Sequence, residues 1–340
     1  MALTIRDIAR LSGTSRSTVS RVLNNHPRVS PEARERVLAV IREHDYQPHH
    51  AARALSNRRA NTIGLVVPRD AAYVFNHTFY PPLIRGMAEV ANRHDYFLTL
   101  ALVTDGVRQE DLVRRVVQSG QMDGVVVASA AEDDLVVVAL RRSRMPFVML
   151  SNPPAEADDI VHLSTDLEAG VRQAMQHLLA LGHRRIACLC GPLHLSPIRD
   201  IVRSYQAALA DAGLAQDPAL LVPGMHTEEH GLRGVLWLLR QRPTAILASD
   251  STVAAGALQA LAQAGVSVPH DVSIVSFGVP PAVTSVAGGL TMVPTDAEGV
   301  GRRAADKLIG MIERPSDPVG SEVLPLQLVV GGSTAAPRRE

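Results

Sequence analysis

Thr4-Ile-Arg-Asp-Ile-Ala-Arg-Leu-Ser-Gly-Thr-Ser-Arg-Ser-Thr-Val-Ser-Arg-Val-Leu23 contains two short helical patterns separated by one glycine. Thr4, with Asp7 three residues later, resembles a capping box and predicts the start of a first helix. Gly13 predicts its end, because glycine readily adopts the left-handed conformation that closes many helices. Ser15 is a favourable cap for a second helix. The stretch therefore predicts a helix-turn-helix.

A third helix is predicted to begin at Ser30-Pro31, where a capping serine precedes a proline at the first helical position. Each of the three helices carries apolar residues at helical spacing, so the stripes predict a small three-helix core. The predicted inward residues are Ile5, Ile8, Ala9 and Leu11, then Val19, Val22 and Leu23, then Ala33, Val37, Val40 and Ile41.

The second helix projects Arg16, Ser17 and Arg21 away from this core. In a helix-turn-helix, the first residues of the second helix meet base edges in the major groove. Arginine suits guanine, whose O6 and N7 accept two parallel hydrogen bonds, and short polar side chains suit phosphate oxygens. The expected DNA-contacting residues of this module are Thr4, Thr14, Ser15, Arg16, Ser17, Ser20, Arg21 and Asn24.

The charge distribution favours the same partner. Residues 1–61 contain eleven arginines and five acidic residues, a net charge of +6, whereas the whole chain has a net charge of zero. A basic module on an acidic body indicates a polyanion such as double-stranded DNA. The alternative is a capped helical hairpin whose arginine-rich face is merely solvated.

The same residues closely resemble the headpiece of the lac-repressor-type (LacI/GalR) family of transcriptional regulators. The resemblance covers residues 4–23 and continues through 29–37, 46–48, 51–56 and 62–68, then more loosely to the end of the chain. It implies a hinge at 48–61 that becomes helical on operator DNA. There Leu55, with Ala52 one turn earlier, is expected to enter the minor groove, where an apolar wedge kinks the duplex. A linker leucine resting on the body is the alternative.

From Thr62 onward, apolar runs of strand length alternate with amphipathic helical segments, which predicts parallel α/β units. Continuous apolar strands indicate sheets that are covered on both faces. We expect an N-terminal all-α helix-turn-helix headpiece at 1–47, and an α/β periplasmic-binding-protein-like core of two doubly wound parallel-sheet lobes. The first lobe is expected at 62–162 plus about 290–322, the second at 163–289 plus about 323–340. The predicted strands are 63–67, 97–103, 124–128, 147–150, 186–190, 245–248 and 274–277, with late strands at 290–294 and 323–330.

Ligands of open α/β sheets lie at the carboxyl ends of strands, so the cleft between the lobes is the expected site of a small-molecule effector. By resemblance, sugar- and purine-binding relatives have arginine, asparagine and aspartate where this chain has Ile201, Ser249 and Gly278. These residues cannot supply charged bidentate contacts to hydroxyl groups. The alternative expectation is therefore a regulator without a sugar effector, controlled by a protein partner or by an anionic or aromatic ligand.

The remaining candidates near strand ends are open to two interpretations each. Arg199 either clamps an anion or is solvated, and Asp250 either accepts from a ligand or caps the following helix. Asp166 likewise either reaches the cleft or caps a helix. The aromatic residues either stack on a ligand or pack the lobe. The expected effector-binding residues are Tyr73, Phe75, Phe79, Ser129, Ser151, Arg199, Asp250 and Phe277.

Motifs of other protein classes are not found in the sequence. There is no GxSxG elbow, no Walker A loop, no GxGxxG after the first strand and no metal-spaced His/Cys cluster, which predicts no enzyme, cofactor or metal site. Cys188 and Cys190 are interpreted as buried core thiols. No long apolar run and no signal-peptide pattern occur, so a cytoplasmic protein is expected. No heptad tail follows Val330, which favours a homodimer on a pseudo-palindromic operator, acting by resemblance as a repressor.

Overall fold

The computed structural model describes residues 3–23, 28–44, 46, 59–69, 71–102, 109–128, 135–153, 157, 159–279 and 286–338. The chain forms two compact units. The smaller unit comprises Met1–Thr62 with Gly120–Asp123, and the larger comprises Ile63–Ser119 with Gly124–Glu340.

The smaller unit contains three helices: α1 (Ile5–Leu11), α2 (Arg16–Leu23) and α3 (Pro31–Glu43). The Thr4 amide and hydroxyl both donate to Asp7 Oδ2, at 2.9 and 2.7 Å, and Gly13 adopts a φ of 61° just after α1. Ser30 Oγ accepts from the Ala33 amide at 3.3 Å, with Pro31 at the first helical position. The predicted helix starts and the glycine stop are therefore confirmed.

A small apolar cluster holds the three helices together. Its fully or nearly buried members are Ile8, Ala9, Val19, Val22, Val37 and Tyr46. The prediction that Leu11 faces this core is wrong, because its side chain is 45% exposed. Counting along α1 in steps of three and four from Ile5 leads to Ser12 instead, which is buried and donates from Oγ to the Ile8 carbonyl at 2.7 Å.

The first sheet of the larger unit contains β1 (Thr62–Val67), β2 (Phe97–Leu102), β3 (Gly124–Val127) and β4 (Phe147–Met149), in the order β2-β1-β3-β4. Strand β3 pairs in parallel with both β1 and β4. This sheet and its helices form the first lobe. The helices are α4 (Ala71–Asn76), α5 (Tyr80–Arg93), α6 (Gln109–Gln118), α7 (Leu135–Arg142) and, from late in the chain, the long helix Ala297–Glu313.

The second sheet contains β6 (Ile186–Cys190), β7 (Leu221–Pro223), β8 (Ala245–Ala248), β9 (Ser273–Phe277) and β10 (Thr291–Val293). Its order is β10-β9-β8-β6-β7, and all its pairs are parallel. With helices α8 (Leu167–Ala180), α9 (Ser196–Asp211), α10 (Glu228–Arg240) and α11 (Ser251–Gln263) it forms the second lobe. Cys188 and Cys190 are buried on β6, as expected.

A two-stranded parallel sheet of β5 (Leu163–Thr165) and β11 (Glu322–Leu324) connects the segments that run between the lobes. The late helix Ala297–Glu313, α12, packs closely on α5. This approach requires glycine, since a Cβ at Gly86 would lie 3.0 Å from the Arg302 amide nitrogen, and a Cβ at Gly301 would lie 3.1 Å from that of Met87.

Three sequence expectations need correction. The segment from about 290 was assigned to the first lobe, but Thr291–Val293 pairs with β9 in the second sheet, and the chain crosses back only afterwards. Of the late strand predicted at 323–330, only Val323 and Leu324 belong to the parallel strand β11, while Val329 forms an isolated antiparallel bridge with Met292. Strands β5 and β7 were not predicted, because their Leu-Ser-Thr and Leu-Val-Pro segments are not apolar runs of strand length.

Candidate functional site

The second helix of the smaller unit presents polar side chains on the face opposite its buried valines. Val19 and Val22 are buried, whereas Ser15, Arg16, Ser17 and Arg21 are exposed. Ser15 Oγ accepts from the Thr18 amide at 3.1 Å, which satisfies one of the free donors at the start of α2. The predicted orientation of this helix is therefore confirmed.

The other residues expected to contact DNA are distributed around the same turn. Thr4 is exposed, and Thr14 and Ser20 are half-buried. Thr14 Oγ1 lies 2.9 Å from Ser12 Oγ, in the turn between the first two helices. Asn24 and the hinge residues Ala52 and Leu55 lie outside the described residues.

In the larger unit, a cavity of about 950 Å³ lies between the two lobes. Its walls come from residues that follow β1, β4, β8 and β9, so it lies at the carboxyl ends of strands from both sheets. Parallel α/β sheets bind ligands at this edge, because the turns there leave a crevice between the connecting helices. The position of the cavity agrees with the sequence expectation.

Most of the expected effector-binding residues reach this cavity. Those that line it are Tyr73, Phe79, Ser151, Arg199, Asp250 and Phe277. Phe75 does not line it and is 56% exposed, because two residues on helix α4 turn it about 200° from Tyr73. Ser129 lies outside the described residues. Ile201, Ser249 and Gly278 also line the cavity.

Asp250 caps helix α11 and also lines the cavity. Its Oδ1 accepts from the Thr252 and Val253 amides, at 2.9 and 3.0 Å, and so caps α11. Its Oδ2 lies 2.8 Å from His226 Nδ1. Burial alone raises the pKa of Asp250, but the hydrogen bond and charge of His226 outweigh it, and the pKa lies below its ordinary value. The carboxylate is therefore ionised at neutral pH.

Around this carboxylate, aromatic rings from both lobes meet. The His77 ring of the first lobe lies 6.1 Å from the His226 ring of the second lobe, and Tyr73 lies 6.3 Å from His226. Tyr80 closes the group, with its ring 5.5 Å from His77. Burial lowers the pKa of His77 and raises the pKa of Tyr80 to about 12, so both side chains are neutral at neutral pH.

His77, His226 and Asp250 form a group that we call the histidine cluster. One potential ligand atom from each residue lies within 4.8 Å of the others. The sequence prediction of no metal-spaced cluster missed this group, because His77 and His226 are 149 positions apart and share no motif. Only Asp250 was singled out from the sequence.

Two further contacts hold the cluster in place. Thr78 Oγ1 and Ser251 Oγ form a hydrogen bond that links the first lobe to the start of α11. Gly191 leaves room for the His226 ring, since a Cβ there would lie 2.7 Å from its Nε2. Gly191 therefore helps to position a side chain that lines the cavity.

Arg199 lies at the start of α9 rather than in a loop. Its Nη1 donates to the carbonyl oxygen of His194 at 3.1 Å and more weakly to that of Leu193 at 3.4 Å. Asp166 is the N-cap of α8, where its Oδ1 accepts from the Ala169 amide at 2.9 Å. The capping interpretation of Asp166 is thus the one that the contacts support.

Within the described ranges, none of the helices has both the length and the apolar character needed to cross a membrane.

Comparisons with known proteins agree with this architecture. A family model described as "Bacterial regulatory proteins, lacI family" matches residues 4–49, and one described as "Periplasmic binding protein-like domain" matches residues 175–334. The HTH-type transcriptional regulator AglR of Rhizobium meliloti is 33% identical over 100% of this chain and 96% of its own length.

Two solved structures extend the comparison. A complex of the transcriptional regulator CelR with cellobiose has a TM-score of 0.75 at 29% identity, covering 97% of this chain and 99% of that one. A lac repressor dimer bound to operator and the anti-inducer ONPF has a TM-score of 0.85 at 24% identity, covering 99% and 100%. The likeness to the lac repressor dimer, at 24% identity, concerns the fold alone.

Proposed function

Because this chain belongs to the LacI family of DNA-binding transcription regulators, we propose that it is a repressor that binds a pseudo-palindromic operator as a homodimer and responds to a small saccharide in its cleft. The observation that carries the proposal is the cavity of about 950 Å³ between two lobes attached to a helix-turn-helix unit. A ligand that favours one arrangement of the lobes changes the spacing of the two headpieces, and so the affinity for DNA.

Residues of the headpiece divide into two roles in this proposal. Arg16 and Arg21, exposed on α2, read base edges in the major groove. Short polar side chains and the positive ends of the helices hold phosphates, which sets the register without reading sequence. The phosphate and backbone contacts are assigned to Thr4, Thr14, Ser15, Ser17, Ser20 and Asn24. The hinge at 48–61 follows the headpiece at 1–47, and Ala52 and Leu55 enter the minor groove.

A saccharide is favoured over the anionic, aromatic or protein partner expected as the alternative. The relative CelR is solved as a cellobiose complex at 29% identity. The cavity offers the aromatic faces of Tyr73, Phe79 and Phe277, which suit the C–H faces of sugar rings. Ser151 and Ser249 offer hydroxyl groups to sugar hydroxyls, even though Ile201 and Gly278 supply no charge. The residues proposed to bind the effector are these and the neighbouring Arg199 and Asp250.

The proposal is tested in two steps with the full-length protein. An operator is first selected from a random duplex pool, and its affinity is measured by fluorescence anisotropy at fixed salt, because phosphate contacts make affinity salt-dependent. Mono- and disaccharides, sugar phosphates, nucleobases and carboxylates are then screened by thermal shift in EDTA. A true ligand at 100 times its Kd adds about 2.7 kcal/mol of stability and should change operator affinity about 5- to 150-fold.

A matched pair of aromatic variants checks the location of the site. Tyr73→Ala should weaken saccharide binding about tenfold, because a lost stacking contact of about 1.4 kcal/mol corresponds to that factor. Phe75→Ala, two residues away on the same helix but outside the cavity, should leave the affinity unchanged. Hits only among anions or heterocycles, or no hit at all, would contradict the saccharide proposal.

A further inference from the structure

We propose that the histidine cluster is a binding site for a divalent transition-metal ion such as Zn²⁺, held between the two lobes. The potential ligand atoms of His77, His226 and Asp250 lie within 4.8 Å of one another. Two imidazoles and one carboxylate are a donor set that suits borderline metal ions such as Zn²⁺. The inference does not depend on the identity of the saccharide.

The two second-lobe ligand atoms lie close to the spacing that an ion requires. His226 Nδ1 and Asp250 Oδ2 are 2.8 Å apart. In a tetrahedral site with bonds of about 2.1 Å, neighbouring ligand atoms lie roughly 3.4 Å apart, so these two atoms would separate by roughly 0.6 Å to bind one ion. An ion bound to Nδ1 and Oδ2 would replace the hydrogen bond between them, and the neutral imidazole would then carry its single proton on Nε2. His77 needs only a small movement toward them to complete the set.

Surrounding groups orient the ligands, as the outer shell of a metal site does. Asp250 Oδ1 is fixed by two backbone amides of α11, which leaves Oδ2 for the ion. Ser249 Oγ donates to Oδ2 at 3.3 Å. Gly191 keeps the space that the His226 ring occupies. These contacts hold the second-lobe half of the site before an ion arrives.

The charge of the site also fits a cation. The set contributes the carboxylate of Asp250 and the imidazoles of His77 and His226. Arg69, a cation of the same cavity, places its guanidinium over the Tyr73 ring, 5.9 Å from the ring centroid. The ligand set thus offers one negative charge to a divalent ion.

The site would couple metal binding to the arrangement of the lobes. His77 belongs to the first lobe, whereas His226 and Asp250 belong to the second lobe. An ion that binds all three ligands binds only the arrangement in which the lobes are close, so it stabilises that arrangement. The Thr78–Ser251 hydrogen bond lies next to the cluster and joins the same two segments.

The test uses untagged full-length protein and Zn²⁺ in competition with a chromophoric chelator. Because the chain has 13 histidines, weak surface binding is measured on the triple variant His77→Ala, His226→Ala, Asp250→Asn. Wild type should bind one additional, tighter Zn²⁺ per chain. His77→Ala and Asp250→Asn should each weaken it by about 100-fold, since even outer-shell changes cost about 10- to 100-fold.

Control variants separate metal binding from folding. Asparagine also caps helices, so Asp250→Asn removes the charge and keeps the start of α11 intact. His230→Ala removes a neighbouring histidine whose Nε2 lies 3.0 Å from the Cys190 carbonyl oxygen, and it should bind Zn²⁺ as wild type does. Zn²⁺ should raise the Tm of wild type and of His230→Ala, but not of Asp250→Asn.

The inference is overturned if wild type binds Zn²⁺ no more tightly than the triple variant, or if His230→Ala loses as much affinity as Asp250→Asn. Its failure differs from failure of the proposed function. Saccharide binding is measured in EDTA, so a saccharide response without Zn²⁺ binding overturns only the metal site. Zn²⁺ binding without any saccharide response leaves the metal site standing and overturns only the saccharide proposal.

Discussion

The packing of α10 on α11 predicts whether a glycine-to-alanine substitution raises or lowers the stability of the protein. Gly256 on α11 faces the backbone of Glu228, and a Cβ there would lie 2.7 Å from the Glu228 carbonyl carbon and 2.9 Å from its Cα. Ordinary carbon contacts are about 3.5–4.0 Å, so Gly256→Ala must push the two helices apart by roughly 1 Å. Backbone atoms cannot rotate away, as a side chain could.

The expected change in the free energy of unfolding follows from two opposing effects. Overpacking of this kind costs about 1–3 kcal/mol, and the upper end applies because the clash is with backbone. Replacing glycine by alanine inside a helix returns about 1 kcal/mol. Gly256→Ala should therefore lower the free energy of unfolding by about 2 kcal/mol. The same shift moves the start of α10, next to His226, and should weaken ligand binding in the cleft.

Gly310→Ala is the matched control, because it is the same substitution inside helix α12. A Cβ there would meet only Arg314 Nη2, at 3.7 Å, which is an ordinary contact with a flexible side chain. It should raise stability by about 1 kcal/mol. Urea unfolding followed by the fluorescence of the single tryptophan, Trp237 on α10, measures both variants. Equal stability of Gly256→Ala and wild type, or shifts of the same sign in both variants, would refute the reasoning.

Three further predictions concern the headpiece, the hinge and a buried histidine. Arg16→Ala should weaken operator binding about 5- to 150-fold, while its binding to random DNA should fall much less. Fluorescence anisotropy measures both affinities, and the control is Arg93→Ala, at the end of α5 in the larger unit. Equal losses on operator and random DNA would exclude base reading by Arg16. Leu55→Ala should likewise reduce specific binding far more than nonspecific binding, and an equal loss on both duplexes would count against the wedge. His183 is buried between Thr244 Oγ1 and the Ala335 carbonyl oxygen, at 3.0 and 2.9 Å, and burial lowers its pKa. The folded state therefore favours neutral His183, so the stabilising contribution should be complete above about pH 6.5 and should decrease as the pH falls below it. His183→Asn should flatten this decrease of Tm with falling pH. An unchanged dependence of Tm on pH would contradict the assignment.

Local signals explain why the headpiece could be predicted in detail. The signals of the headpiece join residues that are close in sequence: Thr4 contacts Asp7, and Ser30 contacts Ala33. Gly13 ends α1 in a left-handed conformation. Such contacts form within one turn of chain, so the residue types alone indicate them. Leu11 was predicted wrongly to face the core, because the next residue, Ser12, occupies the inward position at the end of α1. Its hydroxyl group can be buried there since it donates to the Ile8 carbonyl oxygen of the same helix.

The alternation of apolar strands and amphipathic helices likewise indicated the two-lobed α/β core, and strand ends indicated the cleft. That rule depends on the direction of parallel strands and not on which residues meet. It therefore selected Tyr73, Ser151 and Asp250 correctly as cavity residues. Phe75 was wrongly included, because its direction depends on the turn of helix α4, which the sequence did not predict.

Only the tertiary structure decided which distant residues meet. The assignment of β10 to the second sheet depends on pairing with β9, and either sheet could have accepted an apolar strand of three residues. The histidine cluster joins positions 77, 226 and 250 from two lobes. No local pattern encodes such a meeting, because it results from the crossing of chain segments that are far apart in sequence. The sequence by itself determined the helix-turn-helix, the parallel α/β architecture and the strand edge at which the cavity lies; the packing of the lobes decided which side chains meet at that edge.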